Sequence, residues 1–145
     1  MLRVLIVDDD ANAAHSMRRL LLRAGFSTEV VYSGEDALER LATFEAHMVI
    51  TDFFMPGMHG AQLLTRIRHI APSAIRVLMS ASVCLEWAFT QDPTLALDTI
   101  DFFFEKPWND KRLVADLLRL HTRGSRVEPN TRSQQRALLS SGSGT

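Results

Sequence analysis

Polar side chains that could take part in chemistry follow several short apolar runs of this 145-residue chain. VLIV at 4–7 is followed by the acids Asp8, Asp9 and Asp10, and MVIT at 48–51 is followed by Asp52. Ser80 ends the run VLMS at 77–80, and Lys106-Pro107 comes shortly after FFF at 102–104. If these runs are parallel strands, their carboxyl ends share the sheet edge at which open α/β sheets bind ligands. The sequence therefore predicts that acids, a hydroxyl and an ammonium group meet there.

A single acid after a strand has a simpler interpretation, because it often caps the following helix. A lone serine or Lys-Pro pair is commonly part of a turn or loop. Several carboxylates at one place, however, repel one another and need a compensating cation. Oxygen ligands with no Cys or His nearby favour Mg²⁺, or Mn²⁺, over zinc. Asp52 is thus a candidate helix cap, metal ligand or nucleophile, since a carboxylate can attack phosphorus.

The five histidines are His15, His47, His59, His69 and His121. They are scattered among predicted helices and loops, with no spacing typical of metal ligands. We assign no catalytic role to any of them. His59 lies nearest to the acids, in the turn after Pro56.

Apolar runs alternate with amphipathic stretches along the chain. Strands are predicted at Val4–Val7, Glu29–Tyr32, Met48–Thr51, Val77–Ser80 and Phe102–Phe104. Helical stripes are predicted at Ala14, Met17, Leu20 and Leu21; Ala37, Leu38 and Leu41; Leu63, Leu64 and Ile67; and Leu113, Val114, Leu117 and Leu118. The mostly apolar strands suit a sheet covered on both faces. The predicted fold class is α/β, a five-stranded parallel sheet doubly wound as (βα)5 and flavodoxin-like.

Glycine and proline mark the joints between these elements. Gly25 is expected to end the first helix, and Ser33-Gly34 to begin the second. The fourth crossover is predicted to be irregular, because Asp92-Pro93 would break a helix interior but suits a helix start. We expect two short segments there, at about 83–90 and 93–99.

Composition narrows the class of protein. A hydrophobic fraction of 46% supports a sizeable core, and a net charge of −1 indicates neither nucleic-acid nor membrane binding by this domain. The single cysteine, Cys84, cannot form an internal disulfide, which fits a reducing compartment. The N-terminal apolar stretch is too short for a secretory signal, so we expect a cytoplasmic protein. Residues 1–121 are predicted to form one domain, and 122–145 a polar, basic, disordered tail or linker.

Four segments together resemble the receiver (CheY-like) domain of two-component response regulators. They are VLIVDDD at 4–10, DFFMPGMHG at 52–60, MSA at 79–81 and FFEKPW at 103–108. The segments fall in the order of that family, and the resemblance covers residues 2 to about 120. It implies a phosphorylation-activated signalling switch of a phosphorelay system. Such a domain is no enzyme beyond catalysing its own phosphorylation and dephosphorylation.

The resemblance also implies roles for individual residues. Asp52 would accept the phosphoryl group from a histidine kinase. Asp9 and Asp52 would bind Mg²⁺ directly, Asp8 would bind it through water, and the Phe54 backbone carbonyl would complete the protein ligands.

Three further positions take part in the implied response. Lys106 would pair with a phosphoryl oxygen and precede a cis bond to Pro107. Ser80 and Phe103 would be the switch residues, which change the partner-binding surface of the helix before the fifth strand, that strand and the last helix.

Some positions depart from the family pattern. Ser80 replaces threonine, Phe103 replaces tyrosine, and the spacing from Ser80 to Lys106 is 26 residues (106 − 80), a few more than expected. Phe54 and Ser82, each two residues beyond a site residue, occupy positions that influence water access in receivers. Phe54 would either shield an acyl phosphate or serve only in packing.

Two tryptophans are also informative. Trp108 is predicted to cover the start of the last helix, with partner docking as the alternative. Trp87 is a candidate docking residue if it is exposed.

Partners and alternatives follow from these features. The expected partners are a sensor histidine kinase or phosphotransfer protein, and a downstream protein or missing output domain; homodimerisation on activation stays open. The chain could also be a phosphorelay intermediate, a single-domain regulator, or a degenerate receiver used for docking. A haloacid dehalogenase-type phosphohydrolase is disfavoured, because it needs a second acid where this chain has Phe54.

Overall fold

The computed structural model describes residues 1–81 and 99–122. Its strands are β1 (Arg3–Val7), β2 (Ser27–Val31), β3 (Met48–Asp52), β4 (Ile75–Ala81) and β5 (Phe102–Lys106). Its helices are α1 (Ala11–Arg23), α2 (Gly34–Leu41), α3 (Gly60–Ile70) and α4 (Asp110–Thr122). The strands form one sheet in the order β2-β1-β3-β4-β5, with every neighbouring pair parallel. The predicted α/β class with a five-stranded parallel sheet is confirmed.

The sheet separates two apolar clusters, because successive side chains of each strand point to opposite faces. Val4 and Ile6 of β1 pack on one face with the buried sides of α1 and α4. Leu5 and Val7 pack on the other face with α3 and with Ala37 of α2. Burial on both faces explains why these strands read as nearly continuous apolar runs.

Caps and turns set the ends of the first two helices as the sequence predicts. α1 ends at Arg23, and Gly25 follows with a φ of +95°, a conformation that glycine adopts without steric cost. The Ser33 side chain accepts a hydrogen bond from the Asp36 amide and caps α2. Gly34 is buried, and a Cβ atom added there would meet the Met58 side chain.

The strand boundaries differ from the predicted ones by up to two residues. β4 begins at Ile75, although the charge at Arg76 breaks the apolar run. Arg76 is nonetheless buried, since its guanidinium lies 3.6 Å from Asp101 and its Nε donates to the Thr99 carbonyl oxygen at 2.8 Å. β2 begins early, at Ser27, because it pairs along the whole of β1.

One predicted core position is wrong. Leu118 was expected on the buried stripe of the last helix, but its side chain is 41% exposed. Leu120 is buried in its place, together with Leu113 and Leu117. Positions 113, 117 and 120 follow the four- and three-residue steps of one helical face, whereas 118 lies off that face.

Several expectations concern residues outside the described part of the chain. These are the interrupted fourth crossover with Ser82, Cys84, Trp87 and Pro93, and the tail from residue 123. Among the helices in residues 1–81 and 99–122, none combines the length and apolar character needed to cross a membrane.

Candidate functional site

The predicted polar residues meet at the carboxyl edge of the sheet. β1 runs into Asp8 and β3 ends at Asp52, and these two strands are neighbours in parallel register, with Val7 opposite Thr51. Ser80 and Lys106 lie near the ends of β4 and β5. Because every strand points the same way, the topology alone brings all four residues to one edge.

Three carboxylates form a cluster at this edge. Asp8, Asp9 and Asp52 each offer an oxygen, and these oxygens lie within 4.8 Å of one another. Asp8 is buried, Asp9 is exposed and Asp52 is between these extremes. These carboxylate oxygens, one from a buried residue and one from an exposed residue among them, form a ligand set of the type that Mg²⁺ prefers.

Asp10 has a different role from its two acidic neighbours. Its side chain accepts hydrogen bonds from the amides of Asn12 at 3.0 Å and Ala13 at 3.4 Å, so it is the N-cap of α1. The Asp10 amide in turn donates to the Asp8 carboxylate at 2.9 Å. Capping therefore explains one of the three consecutive acids, while the other two belong to the cluster.

Lys106 provides the positive charge of the site. Its Nζ lies 3.0 Å from Asp8 Oδ2 and 3.4 Å from Asp52 Oδ1. Burial alone would lower the pKa of Lys106, but the hydrogen bonds and charges of Asp8 and Asp52 outweigh it and raise the pKa. Lys106 is therefore a cation shared by two carboxylates. Its peptide bond to Pro107 is cis.

One lysine does not neutralise this cluster. Burial raises the pKa of Asp52 to about 6, against the lowering effect of Lys106 and with a further raising effect from Asp8. Desolvation and a neighbouring like charge both disfavour an ionised carboxylate. The site thus holds an excess of negative charge, which a second cation would stabilise.

Ser80 and Phe103 lie on the same face of the sheet. Leu78 is opposite Phe103 and Ser80 is opposite Glu105 in the register of β4 and β5, so alternation places Ser80 and Phe103 together. Ser80 is buried, and its hydroxyl has no hydrogen-bond partner within residues 1–81 and 99–122. The Phe103 ring is buried in the cluster that contains Phe53 and Leu78.

The β3–α3 loop, residues 53–59, closes tightly beside Asp52. The Gly60 amide donates to the Phe53 carbonyl oxygen at 2.8 Å, and the Phe53 amide donates to the Met79 carbonyl oxygen at 2.9 Å. A Cβ atom on Gly60 would overlap the backbone carbonyl oxygen of Asp52. Gly57 in the middle of the loop has a φ of +76°. The backbone geometry of the loop therefore requires glycine at both positions 57 and 60.

The two phenylalanines after Asp52 have different surroundings. Phe53 is buried, and Phe54 is 47% exposed with its ring edge-on to Phe53 at a centroid distance of 4.9 Å. Phe54 is thus partly packed and partly open to solvent beside Asp52.

His59 has a role that the sequence interpretation missed. Its Nδ1 accepts from the Gln62 amide at 3.3 Å, and its own amide donates to Gln62 Oε1 at 3.1 Å, which forms a capping box for α3. Its ring stacks on Phe53. The three-residue spacing from His59 to Gln62 carries the capping-box signal, but histidine is not among the usual cap residues.

Trp108 packs at the start of the last helix, as predicted. Its ring meets Phe104 edge-on at 6.0 Å, and its Nε1 donates to Asp110 Oδ1 at 3.0 Å. Asp110 is the first residue of α4, so Trp108 joins the end of β5 to this helix.

Known proteins share this sequence pattern and this fold. Residues 4–118 match the family described as response regulator receiver domain. The DNA-binding response regulator MtrA of Mycolicibacterium paratuberculosis is 32% identical over 114 residues, which are 78% of this chain and 48% of that protein. The transcriptional regulatory protein DltR of Streptococcus agalactiae serotype III is 29% identical over 125 residues, 86% of this chain and 53% of that protein. The chain therefore spans about half the length of these curated relatives.

Solved structures give the same assignment. The response regulator TrrA of Thermotoga maritima, in complex with Mg(2+)-BeF, is 27% identical with a TM-score of 0.71, covering 83% of this chain and 99% of that chain. A CheY-like receiver domain protein of Methanospirillum hungatei is 22% identical and shares the fold with a TM-score of 0.72, covering 82% of this chain and 92% of that chain. The chain belongs to the response regulator receiver domain family. It is thus a phosphorylation-activated signalling domain of the two-component class.

Proposed function

We propose that Asp52 accepts a phosphoryl group from a sensor histidine kinase or phosphotransfer protein, and that the new charge changes the affinity of this domain for partners. The observation that carries the proposal is the cluster of Asp8, Asp9 and Asp52 within 4.8 Å, with Lys106 Nζ at 3.4 Å from Asp52. A nucleophile, a ligand set for a divalent cation and a fixed ammonium group are what phosphoryl transfer to a carboxylate needs.

The proposed transfer is a displacement at phosphorus. An oxygen of the Asp52 carboxylate forms a bond to phosphorus while the P–N bond to the donor imidazole breaks. The bonding electron pair returns to the imidazole nitrogen, which then takes up a proton. Lys106 stays beside the acyl phosphate and offsets the charge on its oxygens.

The residues present fit a Mg²⁺ or Mn²⁺ ion. Asp9 and Asp52 would bind it directly, Asp8 through a water molecule, and the Phe54 backbone carbonyl would complete the protein ligands. Their oxygens are of the type that Mg²⁺ prefers. Burial, with a smaller contribution from the charge of Asp8, raises the pKa of Asp52, so a bound cation would offset the cost of ionising this carboxylate. When bound, the ion would neutralise charge on the transferring phosphoryl group.

We propose that the Ser80 hydroxyl responds first to phosphorylation. It is buried beside the site without a partner in the described ranges, so a phosphoryl oxygen would be a favourable acceptor. The Phe103 ring is already buried on the same face of the sheet. In the proposed switch, this buried arrangement would be the inward position of the ring. The response would then change the surface formed by the helix before β5, β5 itself and α4.

Phosphorylation of the full chain tests this proposal. Incubation with acetyl phosphate and Mg²⁺ should add one base-labile phosphoryl group, detected by mass spectrometry of the intact protein. Asp52→Asn should remove the product, and Asp52→Glu serves as a control that keeps the charge but displaces it. Unmodified wild-type protein, or equal labelling of Asp52→Asn, would contradict the proposal. Rapid turnover of unrelated phosphoesters would instead favour the phosphohydrolase alternative.

The output of the signal is a separate proposal. Two relatives are named as DNA-binding or transcriptional regulators, and this chain matches about half of each. We propose that it acts in the cytoplasm and passes its signal to an output domain or to a separate downstream protein. Size-exclusion chromatography with and without beryllofluoride and Mg²⁺ would show whether activation produces a homodimer. If the tail beyond residue 122 carries no output, a phosphorelay intermediate or single-domain regulator is the alternative.

A further inference from the structure

Both ends of the β3–α3 loop are tied to neighbouring structure. At its start, the Phe53 amide donates to Met79 of β4, and at its end Gly60 donates back to the Phe53 carbonyl oxygen. Phe54 directly follows this anchored residue. The orientation of the peptide carbonyl after Phe54 therefore depends on how firmly the loop is held on its other side.

His59 closes that other side through the helix cap. Its Nδ1 accepts the Gln62 amide, and the Gln62 side chain accepts the His59 amide, so two donors at the start of α3 are satisfied together. A ring nitrogen that accepts from an amide carries no proton, so the proton of the neutral ring lies on Nε2. The cap fixes where the loop enters α3.

The same side chain also packs against the start of the loop. The His59 ring stacks on Phe53 with centroids 4.9 Å apart and an interplanar angle of 15°. Phe53 in turn meets Phe54 edge-on at 4.9 Å. Three rings thus connect the last residue of the loop to the two residues that follow Asp52. Asparagine could supply the cap without the ring, and phenylalanine the ring without the cap.

We propose that His59 is a positioning residue that holds the β3–α3 loop in the arrangement in which Phe54 presents its carbonyl to the divalent cation. This inference rests on the proposed function, because it presumes the metal site at Asp8, Asp9 and Asp52. If the loop adopts the binding arrangement only part of the time, its apparent affinity is the intrinsic affinity multiplied by the fraction of time spent in that arrangement. His59 would therefore act on cation affinity, with no contact to the ion or the phosphoryl group.

The test is a Mg²⁺ titration of the full-length chain by isothermal calorimetry, with MgCl₂ as the only ligand. His59→Ala should weaken Mg²⁺ binding by on the order of five-fold, which corresponds to about 1 kcal/mol. At saturating Mg²⁺ its rate of phosphorylation by acetyl phosphate should return to the wild-type rate. His59→Asn and His59→Phe should each fall between wild type and His59→Ala.

Ser33→Ala is the matched control, since it removes an N-cap of α2 that accepts from Asp36 at 3.0 Å. It should lower thermal stability to a similar degree without changing Mg²⁺ affinity. Wild-type affinity in a folded His59→Ala, full recovery by either single replacement, or an equal loss in Ser33→Ala would overturn the inference. Failure of the wild-type protein to bind Mg²⁺ would refute the proposed function itself.

Discussion

Asp52 is a carboxylate in surroundings that disfavour its charge. Burial raises its pKa to about 6, Lys106 opposes this rise, and Asp8 adds to it. A carboxyl group whose folded pKa lies above its unfolded value binds protons more tightly in the native state. Ionising it therefore destabilises the fold, with no cost below the unfolded value of 3.8 and the full cost above about pH 6.

The neutral replacement Asp52→Asn should stabilise the metal-free protein at neutral pH. We expect a gain of roughly 1–3 kcal/mol in the free energy of unfolding at about pH 7.5, declining to nearly zero towards pH 4. Urea denaturation in the presence of a chelator, repeated across this pH range, measures it. Mg²⁺ should stabilise the wild type more than the variant. A gain that grows on acidification would contradict the sign of the effect.

Phe54 is the second residue with a testable role, because about half of its surface is exposed and it lies two residues after the proposed acceptor, Asp52. If the ring limits the approach of water to the acyl phosphate, Phe54→Asn should accelerate its hydrolysis. Phe54→Leu is the control, since it keeps an apolar side chain and should decay at a rate near that of the wild type. The measurement is loss of the phosphoryl group after the phosphodonor has been removed. Equal decay in all three proteins would assign Phe54 to packing alone.

At the scale of elements, α3 begins in close contact with the end of β3, at Asp52. Gly60, its first residue, lies against the carbonyl oxygen of Asp52, and a Cβ atom there would also approach Leu78 Cδ1 to 3.0 Å. The start of this helix is therefore fixed by the absence of a side chain. Any addition at Gly60 would push α3 away from Asp52.

Gly60→Ala should destabilise the protein by about 2–3 kcal/mol, since the backbone must move to admit the methyl group. It should also slow phosphorylation of the protein that remains folded. Gly25→Ala is the control: Gly25 has a φ of +95° with no neighbour within 4 Å of an added Cβ, so the cost should be about 1 kcal/mol of backbone strain. Phosphorylation of Gly25→Ala should match wild type. Thermal melts and acetyl phosphate kinetics compare the two variants.

The elements were largely predictable because each strand is an apolar run and each helix has an apolar stripe. Arg76 and Leu118 show where such patterns fail. The predicted strand starts only at Val77, after the charge of Arg76, because the neutralisation of that charge depends on Asp101, a residue 25 positions away. Leu118 directly follows Leu117 in the apolar pattern of the last helix, and only packing against the sheet decides which of the two side chains is buried. The meeting of the candidate site residues at one edge followed from their positions after strands. The cap at His59 was not predicted, because histidine is not among the usual cap residues.

At the scale of the whole molecule, the two edges of the sheet differ in character. The carboxyl edge holds the acids with their excess negative charge. Near the opposite edge, Arg76 lies buried against Asp101, and the Arg76 amide donates to the Asp101 carboxylate at 2.8 Å. Burial raises the pKa of Asp101, and the hydrogen bond and charge of Arg76 oppose the rise. This pair joins the start of β4 to the residue that precedes β5, whereas Asp52 lies at the carboxyl end of β3.

Arg76→Met should therefore reduce stability with little effect on the site. Leaving Asp101 without its cation should cost about 3 kcal/mol, and less at acidic pH, where the carboxyl group takes up a proton. Adding Asp101→Asn to this variant should recover much of the lost stability. The side-chain oxygen of the asparagine can still accept the hydrogen bond from the backbone N–H of residue 76. Mg²⁺ affinity, measured well below the melting temperature, should stay at the wild-type level in both variants. A matching fall in Mg²⁺ affinity would show that the two edges are coupled.

The run Asp8-Asp9-Asp10 finally bears on how this sequence can diversify. Asp10 satisfies amides at the start of α1, a task that serine, threonine or asparagine performs equally well. Asp8 is buried, and its carboxylate accepts from both Lys106 Nζ and the Asp10 amide, so a replacement would have to fit the same space and accept both bonds. Asp9 is exposed and is not the cap of the helix, so its constraint would come from the proposed cation. Three consecutive aspartates thus have three different sets of tolerated replacements. A saturation library selected for folding alone would retain aspartate at position 8 far more strictly than at positions 9 and 10.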